Sequence, residues 1–219
     1  MWWVFATLSP PDQTVNFLAH AYLAAGSDHA IVGSLMGDFV KGPLSGRHGT
    51  EIARALALHR RIDVYTDSHH VVRQSRNRVS LARRRFAGIL VDMFYDHFLA
   101  RHWDEFSDVP LERFTAHIYA VLREHHALLP ERLQHIAPHM AAADWLASYR
   151  HVDAIGLALD RIGQRLKRGN ALLRSAEELL AQYDAFEADF RIFFPDVVRF
   201  ARLHQKVDEP RRRREHGEL

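Results

Sequence analysis

Apolar residues recur along this chain at spacings of three and four, and no stretch shows the strict alternation of a half-buried strand. Regular patterning starts at Val15 and predicts an amphipathic helix to about Ala25. A second helix, Ala30 to Val40, carries Ile31, Leu35 and Phe39 and is expected to stop at Lys41-Gly42-Pro43. After a loop from Pro43 to Gly49, Thr50 serves as a plausible N-cap, with Glu51 in the first turn of a helix running to about Asp67. The segment His70–Arg84 sets Val71, Val72, Val79 and Leu81 among its arginines. Phe86 to Phe106 is the most apolar helix. Ile89, Leu90, Met93, Phe94 and His97 belong to one stripe, and Asp92, Tyr95, Asp96, Leu99 and Trp103 form another. A helix occupied on both faces belongs in the middle of a bundle.

Further helical patterns cover Leu111 to Leu129, Glu131–Ala143, Asp144–Arg150, Val152–Lys167 and Ala171–Phe194, the last expected to halt at Pro195. No repeat of fixed period occurs. The fold class read from this pattern is all-α: a single-domain helical bundle over residues 15–205. An irregular extension at 1–14 precedes it, and a charged, disordered tail at 206–219 follows.

Composition narrows the function classes. A chain of 219 residues suits one large domain with a substantial core. Without cysteine, disulfides, thiolate-bound zinc and thiol nucleophiles are excluded. No apolar run approaches the roughly 18 residues that span a bilayer. Met1 to Ala6 lacks the basic flank of a signal peptide, so no membrane association and a cytoplasmic location are expected. The formal charge is only +2, yet Arg73, Arg76, Arg78, Arg83, Arg84 and Arg85 crowd one segment with no acid among them, and Arg211 to Arg214 form a second run. Such clusters favour polyanionic partners, or else lie on a solvated face.

Three features could carry chemistry. On a helix, His59, Asp63 and Asp67 share one face, each about 6 Å along the axis from the next. Imidazole beside carboxylate suits a divalent metal. The three positions together span about 12 Å, too far to reach one ion, so His59 and Asp63 are expected at the metal and Asp67 at the helix end. Asp92 and Asp96, four apart on the central helix, are costly to bury unless a metal, an arginine or a histidine pairs with them. His97 reads either as a packed core histidine or as a catalytic group. His20 and Asp38 gain weight because bundle metal sites are assembled from side chains on facing helices. No Gly-rich phosphate loop, Gly-x-Ser-x-Gly elbow, Glu-x-x-His or His-Glu-x-x-His motif is present.

Several stretches together carry a family resemblance: Asn16-Phe17-Leu18-Ala19-His20, Gly37-Asp38-Phe39-Val40-Lys41-Gly42, His59-Arg60-Arg61-Ile62-Asp63 with Thr66-Asp67, Asp92 to Trp103, and Asp144-Trp145-Leu146. In this order, from about Val15 to Pro195, the chain resembles the acyl carrier protein phosphodiesterases. The resemblance implies hydrolysis of the phosphodiester joining 4′-phosphopantetheine to a serine of holo-acyl carrier protein. It also implies dependence on Mn²⁺ and a distant kinship with the helical His-Asp hydrolases. Two departures stand out. In the family the Asn-Phe-Leu-Ala-His motif follows the initiator Met directly, so residues 1–14 are expected to come from an upstream start assignment, with Val15 encoded by a GTG start codon. The adjacent His-Asp dipeptide of the wider superfamily is missing, which makes any metal site a variant.

The expected site therefore places His20, Asp38, His59, Asp63 and Asp96, with Asp92, around one or two divalent ions. His59, Asp63, Asp96 and His97 are the catalytic candidates. Arg60 and Arg61 are expected to hold the phosphate, where guanidinium geometry favours bidentate contact. Arg73, Arg76 and Arg83 are expected to meet the acidic carrier protein. The rival readings are a helical phosphohydrolase of nucleotides and a non-enzymatic nucleic-acid binder using the arginine segment.

Overall fold

A fifteen-residue helix, Ala87–Arg101, is the element the other helices pack around, and every residue from Leu90 to Ala100 is buried. Its two apolar stripes leave no face for water, which is why neighbours cover it all round. In this computed structural model the described residues are 16–24, 26–44, 48–166 and 169–208, without the side chains of 169, 170 and 206–208. They form eleven α-helices and no strand. The helices are α1 Phe17–Leu23, α2 Asp28–Met36, α3 Thr50–Ser68, α4 His70–Arg78, α5 Ala87–Arg101 and α6 Leu111–Glu124. Then follow α7 Glu131–Ala142, α8 Trp145–Ser148, α9 Val152–Arg165, α10 Ala176–Ala181 and α11 Tyr183–Asp208. The all-α expectation is met, and the buried side chains join in one continuous cluster. The expected extension at 1–14 and most of the tail lie outside the described residues.

Helices α1, α4, α8, α9 and α11 contact α5 directly. Helices α2 and α3 pack closely, and Gly33 is the reason they can. A Cβ there would lie 2.6 Å from the Ile52 carbonyl oxygen and 2.7 Å from Ala55 Cβ.

The end of the chain departs from expectation. Pro195 does not halt a helix; α11 runs through it from Tyr183 to Asp208. A proline inside a helix costs about 3 kcal/mol or more and frees the carbonyl four residues back. Pro195 and Arg191, which owns that carbonyl, are both exposed. Phe186, Phe190, Phe193, Phe194, Val197 and Ala201 lie buried along the opposite stripe, and α11 packs on α3, α4 and α5. Burying large aromatic side chains is worth about 1.5–3 kcal/mol each, which outweighs the proline. The expected helix Ala171–Phe194 is instead broken twice. The backbone amide of Arg174, at φ 57°, donates to Asp160 Oδ1, and Gln182 interrupts the chain between α10 and α11.

Among the described residues no helix is long and apolar enough to cross a membrane.

Candidate metal centre

The site is built from short stretches of four helices. Helix α1 is pinned by Asp96 of α5, whose two carboxylate oxygens accept the amides of Leu18 at 3.0 Å and Ala19 at 2.9 Å. This carboxylate answers N–H groups that the start of a helix leaves unpaired. Ser34 of α2 donates to the carbonyl oxygen of His20 from the other side at 2.8 Å. Together the two contacts fix the turn that carries His20.

From α3, His59 and Asp63 come one turn apart on the same face. His20 Nε2 lies 3.1 Å from Asp63 Oδ1, and His59 Nε2 lies 3.3 Å from Asp63 Oδ2 and 3.6 Å from Asp38 Oδ1. The two imidazoles stack with centroids 3.8 Å apart. One donor atom from each of His20, His59 and Asp63 falls within 4.8 Å of the others. Gly37 makes this approach possible, because a Cβ there would lie 2.2 Å from the His59 ring. Of the glycines within the recognised motifs, this is one whose missing side chain is occupied by a candidate ligand.

Electrostatics sharpen the picture. Burial and the neighbouring His59 lower the pKa of His20. Burial also works against a proton on His59, but hydrogen bonds to Asp38 and Asp63 outweigh it and raise His59 to about 9. Burial opposes ionisation of Asp63, yet the two histidines hold it well below the usual carboxylate range. The cluster is unsatisfied by protein alone. His20 Nδ1, His59 Nδ1 and Asp38 Oδ2 are buried with no hydrogen-bond partner among the described residues.

Asp92 sits beside this cluster in a small cavity that it lines with Asn16, His20 and Thr66. Burial raises its carboxyl to about 8, with Arg76 opposing the shift. Three imidazole or carboxylate donors converging in a buried cluster, with further acids beside them, fit a hard-to-borderline divalent cation. A dication would offset the desolvation of these acids.

The other expected site residues are placed elsewhere. Asp96 is spent on the α1 amides. His97 Nδ1 is paired with the Tyr149 carbonyl oxygen and Nε2 with the Tyr183 hydroxyl, both at 2.8 Å, so it is a satisfied core histidine. Asp67 pairs with Arg76 at the end of α3. Arg60 donates to the Val40 carbonyl oxygen at 2.9 Å, tying down the loop that carries Asp38, and Arg61 is exposed on α3. Arg73 is exposed, whereas Arg83 pairs with Glu178 at 3.1 Å.

On the far side of Asp38 a second cavity, of about 270 Å³, opens between the α1–α2 end and helices α7 to α9. Its arginines, Arg132, Arg161 and Arg165, did not stand out in the sequence, where they fall on ordinary amphipathic helices.

A profile described as acyl carrier protein phosphodiesterase matches residues 15–197. The chain belongs to the acyl carrier protein phosphodiesterase family. It is 35% identical over 192 residues to the protein so named from Pectobacterium atrosepticum, a span of 87% of this chain and 100% of the relative. To the Salmonella dublin protein of that name it is 37% identical over 185 residues, 84% of this chain and 96% of the relative. To that of Klebsiella pneumoniae it is 36% identical over 196 residues, 87% and 100%. No solved structure matches. The profile begins at Val15, where regular patterning also begins.

Proposed function

We propose that the protein is a metal-dependent phosphodiesterase that hydrolyses the bond between 4′-phosphopantetheine and the serine of holo-acyl carrier protein, giving the apo carrier and 4′-phosphopantetheine. The observation that carries this reading is the convergence of His20, His59 and Asp63 donors within 4.8 Å, in a buried cluster whose remaining polar atoms lack partners. In the proposal His20, His59 and Asp63 hold a divalent ion, with Mn²⁺ the expected metal, and Asp38 and Asp92 stand beside them. When bound, that ion supplies positive charge for the phosphoryl oxygens and makes water more acidic.

This chain's residues do the rest. Asp63, ionised and shared by both imidazoles, fixes their orientation. Loading the site requires His59 to surrender the proton that Asp38 and Asp63 favour, so metal affinity falls as pH drops through about 9. Asp96 acts at one remove, holding α1 and so His20. Water attacks phosphorus in line, the bond to the serine oxygen breaks, and that oxygen takes up a proton. Cytoplasmic action goes with this reading. The rival nucleic-acid reading loses much of its footing, because Arg76, Arg78 and Arg83 pair with acids of this chain.

Incubation with holo-acyl carrier protein and Mn²⁺, followed by mass spectrometry, tests the proposal. Loss of the phosphopantetheine mass, abolished by chelation, is the expected result. An unchanged carrier mass at all Mn²⁺ concentrations would overturn it.

A further inference from the structure

The cavity on the far side of Asp38 is not explained by the fold. It is a solvent-open hollow of about 270 Å³, which approaches the roughly 300–1,000 Å³ of small-molecule sites. Its α9 wall is one helical stripe, Ala154, Leu157, Ala158, Arg161, Ile162 and Arg165. Leu157 is 57% exposed and lines the hollow, an apolar side chain left largely open to solvent. Opposite stand the aromatic residues Phe17, Phe39, Trp145 and Tyr149.

Charge in this hollow is one-sided. Arg132, Arg161 and Arg165 line it, and Asp38 is the one carboxylate that does. Burial, then repulsion from Arg132 and Arg161, draws Arg165 below the usual guanidinium range. Arg132 lies 5.9 Å over the Phe39 ring and feels the Asp38 charge. Apolar walls studded with cations suit an elongated ligand that has a weakly polar body rich in acceptors and an anionic end.

Asp38 links this hollow to the cluster: it lines the cavity, and its Oδ1 is 3.6 Å from His59 Nε2. We propose that the cavity holds the pantetheine arm of the substrate while the phosphodiester lies at His20, His59 and Asp63. The proposal rests on the phosphodiesterase reading above and names the subsite that selects the arm. The branched dimethyl carbon and methylenes lie against the aromatic wall and Leu157. Arg161 and Arg165 donate to the amide carbonyl oxygens, and Arg132, nearest in charge to Asp38, faces the phosphate end. An enzyme built this way recognises the prosthetic group as well as the protein that carries it.

Binding of pantetheine itself, which lacks the phosphate, tests the cavity without requiring turnover. Titrated into the full chain, pantetheine should change the fluorescence of Trp145 saturably, and the change should vanish in Trp145→Phe. Ala158→Phe, which fills the hollow from α9, should weaken binding at least tenfold with the thermal midpoint retained. Arg161→Gln with Arg165→Gln should also weaken it and provides a second variant if Ala158→Phe folds poorly. A wild-type protein with no saturable response, or an Ala158→Phe protein that binds as wild type does, overturns the assignment. An enzyme that binds pantetheine but releases nothing from holo-carrier would overturn the hydrolytic reading and leave the cavity assignment standing.

Discussion

Around Asp189 every oxygen is answered. Gln74 donates to Oδ1 at 2.9 Å, Ser75 to Oδ2 at 2.7 Å, and Arg78 reaches both, while Ser75 also meets the Tyr95 hydroxyl at 2.8 Å. Nearby, Glu178 accepts from the Ser80 amide and from Arg83 at 3.1 Å each. Around Asp63, itself partly exposed, the neighbours are the buried His20, His59 and Asp38, and His20 Nδ1, His59 Nδ1 and Asp38 Oδ2 have no partner among the described residues. Burying an unanswered polar atom costs about 1–3 kcal/mol. The first region is complete as a structure. The second has room for something added, and what sets it apart is that unanswered atoms sit on side chains, His20 and His59, that also converge with Asp63 within 4.8 Å.

The largest effect should come from removing the shared acid of the unanswered region. Asp63→Ala should lower turnover of holo-acyl carrier protein by more than about 10²-fold, beyond the range typical of residues that merely support metal ligands. The helical circular-dichroism signal should be kept with a lower thermal midpoint, since buried His20 and His59 lose the carboxylate that both of them face. Turnover near wild type would show that the cluster is not the centre.

The answered region should behave in the opposite way. Arg78→Ala leaves Asp189, which is 2% exposed, without its cationic partner. Breaking such a pair costs about 3–5 kcal/mol when both ions are fully buried. Arg78 is 27% exposed at its side chain and Gln74 and Ser75 remain, so about 3 kcal/mol is expected by urea denaturation. Turnover per folded molecule should be unchanged. A loss of turnover without loss of stability would erase the distinction between the regions.

Gly37→Ala probes the approach of the two rings without touching a ligand. A methyl group there meets the His59 ring at 2.2 Å, so the ring must move and its distances to Asp38 and Asp63 must open. Mn²⁺ affinity, followed by electron paramagnetic resonance, should fall by about 10–100-fold, as when a ligand's supporting contacts are lost. Affinity equal to wild type would mean that His59 need not sit where the structure has it.

Much of this was legible in the pattern of residues. The helical periods marked α3 and α5 and their neighbours because each buries a continuous stripe, and the i, i+4 spacing of His59 and Asp63 put both on one face. Asp92, Asp96 and His97 look alike as polar residues in the most apolar helix. Their fates diverge for tertiary reasons: one lines a cavity by His20, one caps α1, and one lies between Tyr149 and Tyr183. No local pattern carries that information. Arg78 and Arg83 likewise looked unpaired because their partners, Asp189 and Glu178, lie about a hundred residues away in sequence, as with the 111 separating Arg78 from Asp189. Pro195 misled because propensity argues for a stop, whereas the aromatic stripe beneath it is worth more than the one hydrogen bond it removes.

The smallest effect expected is a pH dependence in the answered region, and its sign is what matters. Burial works against ionisation of Glu178, but donors from Ser80 and Arg83 prevail and leave its pKa below the usual glutamate value. A carboxyl depressed on folding binds its proton more readily when the chain is unfolded. Its contribution is therefore fully present above the unfolded value of about 4.3 and is lost as pH falls through the lower folded value. Wild type should thus exceed Glu178→Gln in urea midpoint at pH 7, and the gap should narrow steadily below about pH 4. Arg83 keeps its contact with the Ala171 carbonyl oxygen at 2.9 Å in either protein, so the variant should stay folded and the comparison should remain clean. A gap that stays constant into acid would mean that the hydrogen bonds, and not the charge, hold Glu178, and the answered region would then be polar scaffold instead of an ionic one.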